Sequence, residues 1–207
     1  ILLVVDEIQM GFFRTGRLWA IEHFGVTPDV VVFGKALTNG LNPLAGLWAK
    51  EALIAPDVFP PGSTHSTFAS NPLGTAVGLE TMKMLREIDY ATLVEAKGAY
   101  FLEGLRHLQR RHPEIGDVDG LGLALRAEIC EADGFTPNRK LVDRMVAIGL
   151  SGDLGHGGEK LGLVLDVGGH HKNVVTFAPS LHISANEIEL AFVLFDEVLA
   201  RAKRDLA

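Results

Sequence analysis

Two apolar runs near the start of the chain each stop at a residue that could do chemistry. Ile1-Leu2-Leu3-Val4-Val5 ends at Asp6-Glu7, and Val30-Val31-Val32-Phe33 ends at Gly34-Lys35. A lysine amine can bond a carbonyl carbon and carry protons, and a carboxylate can hold a cation. Burying either group is expensive unless it is paired or employed. A plain structural ion pair would account for the two residues equally well.

The elements that must position the pair follow from the runs themselves. Short, β-branched runs that are apolar on both faces fit strands buried in the middle of a parallel sheet. Ligands of such sheets sit outside the carboxyl ends of the strands. Asp6 and Lys35 are therefore expected at neighbouring strand ends, facing one crevice. Glu7 points to the opposite side of its strand and reads as structural.

A second feature is the loop Pro60-Pro61-Gly62-Ser63-Thr64-His65-Ser66-Thr67-Phe68-Ala69-Ser70, dense in hydroxyls. Asn71-Pro72 follows it with the residue types that start a helix. Hydroxyls just before a helix N-terminus suit an anion. The helix is expected to reach about Ile88 and, being apolar almost all round, to be buried on most faces.

Elsewhere the pattern predicts a short helix over 18–24 stopped by Gly25, a Gly- and Asn-rich loop over 37–42, a buried strand over 43–49 and a short helix over 50–55. A helix is expected from about Ala91 to Arg111, then a glycine-punctuated turn and strand over 116–130. Thr136-Pro137 reads as the start of a helix to about Ile148, and Leu161–Val167 and Val174–Phe177 as strands. Ser184-Ala185-Asn186-Glu187 is a capping box opening the last helix.

Composition removes several classes of function. The chain has 207 residues, 47% of them hydrophobic, and a formal net charge of -7. That charge, with no basic stripe interleaved with aromatics, argues against nucleic-acid and anionic-membrane partners. No run is long enough for a membrane span. The single cysteine, Cys130, fits a reducing compartment such as the cytoplasm and reads as a small buried hydrophobe. His156, His170 and His171 lack companion ligands at metal-site spacing. The chain opens inside what should be a central strand, so it is expected to be the C-terminal part of a longer protein.

The text around the pair is more specific. Asp6-Glu7-Ile8-Gln9-Met10-Gly11-Phe12-Phe13-Arg14-Thr15-Gly16 leads through Glu22-His23-Phe24-Gly25-Val26-Thr27-Pro28-Asp29 into Val30–Lys35 and then Asn39-Gly40. It resembles the signature of the class III pyridoxal-phosphate aminotransferases, the family of ornithine, acetylornithine, 4-aminobutyrate and diamine transaminases. The resemblance implies an α/β, fold-type I architecture. Residues 1–88 would be part of the large parallel or mixed-sheet cofactor domain, and 89–207 a smaller C-terminal α+β domain. It implies pyridoxal 5'-phosphate as cofactor and a ping-pong transfer of an amino group from an amine or amino acid to a keto acid.

By the same resemblance, Lys35 would be the Schiff-base lysine and proton shuttle, and Asp6 the partner of the pyridinium nitrogen. Gln9 would face the phenolic oxygen of the ring. Ser66 and Thr67 would donate hydrogen bonds to the phosphate of the neighbouring subunit's cofactor, which implies a homodimer, with His65 beside them. Racemase, epimerase or decarboxylase chemistry on the same scaffold is the alternative, as is a catalytically incompetent fragment.

The sequence departs from the family in three places. Ala69-Ser70 stands where two glycines are common, and the segment 152–171 is longer than usual. Thr176 stands where many members have the arginine that binds a substrate carboxylate, and a hydroxyl cannot replace a bidentate cation. That favours an amine donor such as a diamine or amino sugar, or another arginine in that role, with Arg14, Arg126 and Arg139 as the candidates.

Overall fold

The computed structural model describes residues 1–63 and 66–207. The chain divides into two units, Ile1–Val94 and Glu95–Ala207.

In the first unit the β-branched runs pair as a small mixed sheet. Strand β1 (Val4–Asp6) lies parallel to β2 (Val30–Phe33), with Val4 opposite Val30 and Asp6 opposite Val32. Strand β3 (Gly46–Ala49) runs antiparallel to β2 on its other side. Only β2 is central, so the expectation of strands buried on both faces fails for β1 and β3. Val4, Leu47 and Trp48 are exposed.

Between β1 and β2 the expected helix is a single 3-10 turn, Ala20–Phe24. Gly25 ends it at φ 63, its N–H bonded to the Glu22 carbonyl. Helix α1 covers Glu51–Ile54 and helix α2 covers Pro72–Met84. The Asn71 side chain caps α2 by accepting from Gly74 N at 2.6 Å, with proline in the first turn. Its apolar faces are not buried: Leu73, Leu79 and Met84 are exposed, and only Gly74 and Gly78 are covered.

Helix α3 (Tyr90–Arg111) begins at the end of the first unit and supplies core residues to the second. There β4 (Ile115–Leu121) and β5 (Ala124–Ile129) form a hairpin, where a single strand was expected. Helix α4 (Arg139–Leu150) follows, then the small hairpin β6 (Leu154–His156) and β7 (Glu159–Leu161). Strands β8 (Asp166–Gly168) and β9 (Val174–Phe177) complete an antiparallel sheet in the order β4-β5-β9-β8, and α5 covers Ala185–Leu206. The expected strand over 161–167 is thus two separate strand ends.

Alternation along β5 buries Leu125, Ala127 and Ile129. They share the core of the unit with Phe101 and Leu105 of α3, Met145 of α4, Val175 of β9, and Phe195 and Val198 of α5. The α5 capping box forms as expected, Ser184 Oγ accepting from Glu187 N while the Glu187 carboxylate accepts from Ser184 N. Helix α4 starts later than Thr136-Pro137. Asp133 captures Thr136 in a turn, and Asn138 caps the helix by accepting from Leu141 N at 2.8 Å. Among the described residues, no helix is long and apolar enough to cross a membrane.

Candidate active site

Asp6 is the last residue of β1 and Lys35 follows β2 after Gly34. Because the two strands are parallel and adjacent, with Asp6 level with Val32, both residues sit at neighbouring carboxyl ends. Both are exposed rather than buried, so neither bears the desolvation cost expected from the sequence. Asp6 Oδ1 accepts from Ile8 N at 2.9 Å, a local turn that fixes the orientation of the carboxylate. Gln9 is exposed in the turn that follows.

The adjacent acid has a different fate. Glu7 is 1% exposed and accepts from Ala20 N at 3.0 Å and Ile21 N at 2.8 Å, closing the amino end of the 3-10 turn. It is structural, as its side of the strand requires.

Lys35 itself sits at φ 38, in the left-handed region that non-glycine residues avoid. It opens a 3-10 turn over Lys35–Thr38 that ends at Asn39, also left-handed at φ 51. Backbone strain of this kind persists only where the surroundings over-determine it, and it clusters at functional sites. Gly34 is buried against Ala45, where a Cβ would come to 3.4 Å from the Ala45 Cβ.

A cavity of about 520 Å³ in the first unit is lined by Lys35, Thr38, Asn42, Ser66 and Phe68, with Gly40, Pro43, Leu44, Ala45 and Ala69. Two of the five candidate residues, Lys35 and Ser66, thus share one cavity of the same chain. Asp6, Gln9 and Thr67 do not line it. Thr67 is exposed beside Ser66, and His65 lies outside the described residues. Ser70, in place of the family's glycine, adopts φ 52, a conformation glycine takes without strain. Asn42, which in the sequence is only one residue of the Gly- and Asn-rich loop, also lines the cavity.

The arginine candidates are differently engaged. Arg126 Nη2 lies 2.9 Å from Asp117 and 3.6 Å from Asp119. Arg139 is exposed, 3.5 Å from Asp143. Burial pulls the Arg14 guanidinium below its usual pKa. Thr176 lies opposite both Arg126 and Asp166, and its hydroxyl donates to Asp166 Oδ2 at 2.5 Å. No group of metal-ligating side chains occurs among the described residues. Cys130 is buried, and burial pushes its thiol up in pKa, away from the reactive thiolate.

The class III aminotransferase family model matches residues 1–199. The chain is 32% identical to an acetylornithine aminotransferase of Caldanaerobacter subterraneus subsp. tengcongensis over 203 residues, 98% of this chain and 46% of that protein. It is 37% identical to a 5-aminovalerate aminotransferase of Pseudomonas putida over 147 residues, 71% of this chain and 34% of that one. Among solved structures it matches the ornithine aminotransferase of Toxoplasma gondii, crystallised with oxidised glutathione and holding PLP at partial occupancy in its active site. That match has a TM-score of 0.80 at 30% identity, over 99% of this chain and 44% of the other. The fold is that of the fold-type I PLP-dependent transaminases. The chain belongs to the class III aminotransferase family. It spans about half the length of the curated relatives it matches.

Proposed function

We propose that this protein transfers an amino group from an amine or amino acid to a keto acid, using pyridoxal 5'-phosphate, by a ping-pong cycle. The observation that carries the reading is the placement of Asp6 and Lys35 at the carboxyl ends of two adjacent parallel strands. The residues present suit the cofactor. An amine stands beside a glycine on the wall of a cavity without carboxylates, and a carboxylate held by one backbone N–H keeps its other oxygen for a cation.

Bound there, the cofactor supplies an electron sink for the carbanion left at the substrate α-carbon. Lys35 would hold it through Nζ and, once released, move the proton at that carbon. Asp6 would keep the proton on the ring nitrogen, and the Ile8 N–H would keep Asp6 in place. Gln9 would meet the phenolic oxygen. Ser66 and Thr67 would donate to the phosphate of a neighbouring subunit's cofactor, in a homodimer covering the exposed apolar faces of α2. Cys130, single and buried, accords with a cytoplasmic protein.

Thr176 is uncharged and commits its hydroxyl to Asp166, and the Arg126 guanidinium opposite it is already paired with Asp117 and Asp119. This supports an amine donor, such as a diamine or amino sugar, over an α-amino acid gripped through its carboxylate.

The test is borohydride reduction of the full-length protein with PLP, followed by peptide mapping in a mass spectrometer. A pyridoxyl adduct on Lys35 is expected, and its absence would overturn the reading. Turnover that requires a keto acid separates transamination from racemase, epimerase or decarboxylase chemistry.

A further inference from the structure

The cavity beside Lys35 has an unusual charge for this chain. Acidic residues outnumber basic ones, 26 to 19, yet no Asp or Glu lines it and one lysine does. Four side chains on its wall carry hydrogen-bond donors; Thr38 spends its hydroxyl on the Asn42 carbonyl, which leaves three, the Lys35 ammonium, the Ser66 hydroxyl and the Asn42 carboxamide. None of the three donates to a protein acceptor among the described residues. Donors that line one cavity with no carboxylate among them make a wall suited to an anion with several acceptor oxygens.

The backbone of Asn42 is tied to a buried neighbour on that wall. Thr38, itself buried, donates its hydroxyl to the Asn42 carbonyl at 2.5 Å, which pins the backbone of residue 42. The side chain lies against the first turn of α2. A Cβ on Gly74 would come within 2.8 Å of Asn42 Oδ1, so glycine at that position makes room for the carboxamide. Asn71, the cap of α2, lies on the other side of the same glycine. A carboxamide on a fixed backbone and packed against a helix has less freedom to lose on binding than one on a mobile loop.

We propose that Asn42 is a phosphate-binding residue, donating from its carboxamide to the phosphate ester of the cofactor. The proposal rests on the PLP reading above and deepens it. It adds to the site a residue from the turn after Lys35, distinct from the hydroxyl loop. The phosphate could belong to the cofactor of the same chain or to that of a second copy; the donor chemistry is the same.

The experiment uses the full-length protein stripped of cofactor and titrated separately with PLP and with pyridoxal, which has the same ring and aldehyde without the phosphate. Binding is read from visible absorbance. Asn42→Ala should weaken PLP binding roughly 10- to 100-fold, the worth of one hydrogen bond to a charged group, and leave pyridoxal binding unchanged. Asn42→Asp keeps the shape but removes the donor and adds a negative charge, so it should lose more. Inorganic phosphate should compete with PLP less well in both variants than in the parent.

PLP affinity unchanged in both variants would overturn the proposal. So would equal weakening of PLP and pyridoxal, the mark of a damaged loop. Failure of the unaltered protein to bind PLP at all would instead bring down the parent reading, and this proposal with it. Co-assembly of Lys35→Ala with Asn42→Ala subunits distinguishes the two sources. One site of native PLP affinity per hybrid dimer assigns Asn42 to the neighbour's phosphate, and none assigns it to its own. Either result accords with the proposal.

Discussion

In the second unit, the helices turn most of their large apolar residues inward. Phe101 and Leu105 of α3, Met145 of α4, and Phe195, Val198 and Leu199 of α5 are buried on an antiparallel sheet whose alternation completes the core. In the first unit few large apolar residues are buried, chiefly Phe12, Val31, Leu37, Tyr90 and Val94. Ile1, Leu2, Leu47, Trp48, Phe68, Leu73, Leu79 and Met84 stand exposed instead. That unit also carries both strand-end candidates and the strained backbone at Lys35. The contrast teaches that burial and chemistry are divided between the units: one closes its own core, while the other offers apolar surface and reactive groups together. Apolar side chains exposed in such number belong against other protein where they are contiguous.

The largest effect expected from breaking this division falls on activity. Lys35→Ala should lower transamination by at least about 10²–10⁴-fold, the usual worth of a positioned proton-transfer group. Without cofactor, its thermal unfolding should stay near that of the cofactor-free parent. Lys35→Gly should be just as inactive but more stable than Lys35→Ala by about 1 kcal/mol, because glycine accepts the left-handed backbone without strain. Initial rates with a keto-acid acceptor and melting curves of both variants check this. Equal stability of the two would mean that φ 38 at residue 35 carries no strain.

Stability should respond in the opposite unit. Phe195→Ala, in the closed core, should cost about 3–5 kcal/mol in denaturant unfolding. Leu79→Ala, on the open face of α2, should cost less than about 0.5 kcal/mol in the subunit itself. Leu79→Lys should nonetheless shift the proposed homodimer toward monomer in sedimentation. If Leu79→Ala proved as costly as Phe195→Ala with no change in assembly, the contrast between the units would fail.

Adjacent acids in β1 and the turn after it sharpen the point at smaller scale. Glu7→Gln removes one acceptor from a buried carboxylate that serves two backbone N–H groups, and should cost about 1–3 kcal/mol. Asp6→Asn, one residue away and exposed, should leave the stability of the cofactor-free protein unchanged and abolish tight PLP binding. Melting curves and PLP titrations on the two variants separate the roles.

The parts legible in the sequence were those fixed by local chemistry. The parallel pairing of the two valine-rich runs, the Asn71-Pro72 start of α2, the opposing sides of Asp6 and Glu7, and the Ser184–Glu187 capping box all follow from residue type and period. What was not legible depends on who the neighbours are. Leu47 and Trp48 have the pattern of a buried strand and α2 that of a buried helix, yet neither pattern says which surface covers them. Thr136-Pro137 has the dipeptide of a helix start, but Asp133 outcompetes it for the local donors. Asn42 was missed because a carboxamide in a glycine-rich turn has no distinctive spacing. Only the packing of Gly74 and the shared cavity set it apart.

The smallest expected effect lies at the start of α5, within the self-contained unit. Hydrogen bonds from the Ser184 backbone and hydroxyl stabilise the Glu187 carboxylate and hold its pKa below the ordinary value of 4.5. A carboxyl group whose folded pKa is depressed contributes stability that is present in full above its unfolded value. The contribution drains away as pH falls through the folded one. The helix should therefore weaken below about pH 4.5, and the loss should be complete only once Glu187 is protonated in the folded state. Glu187→Gln retains an acceptor for the capping box but cannot titrate. The difference in unfolding midpoint between parent and variant should be constant above that range and shrink as pH falls through it. A difference that stayed flat from pH 6 to pH 3, taken as the approximate window, would show that the capping box holds the helix without help from the charge.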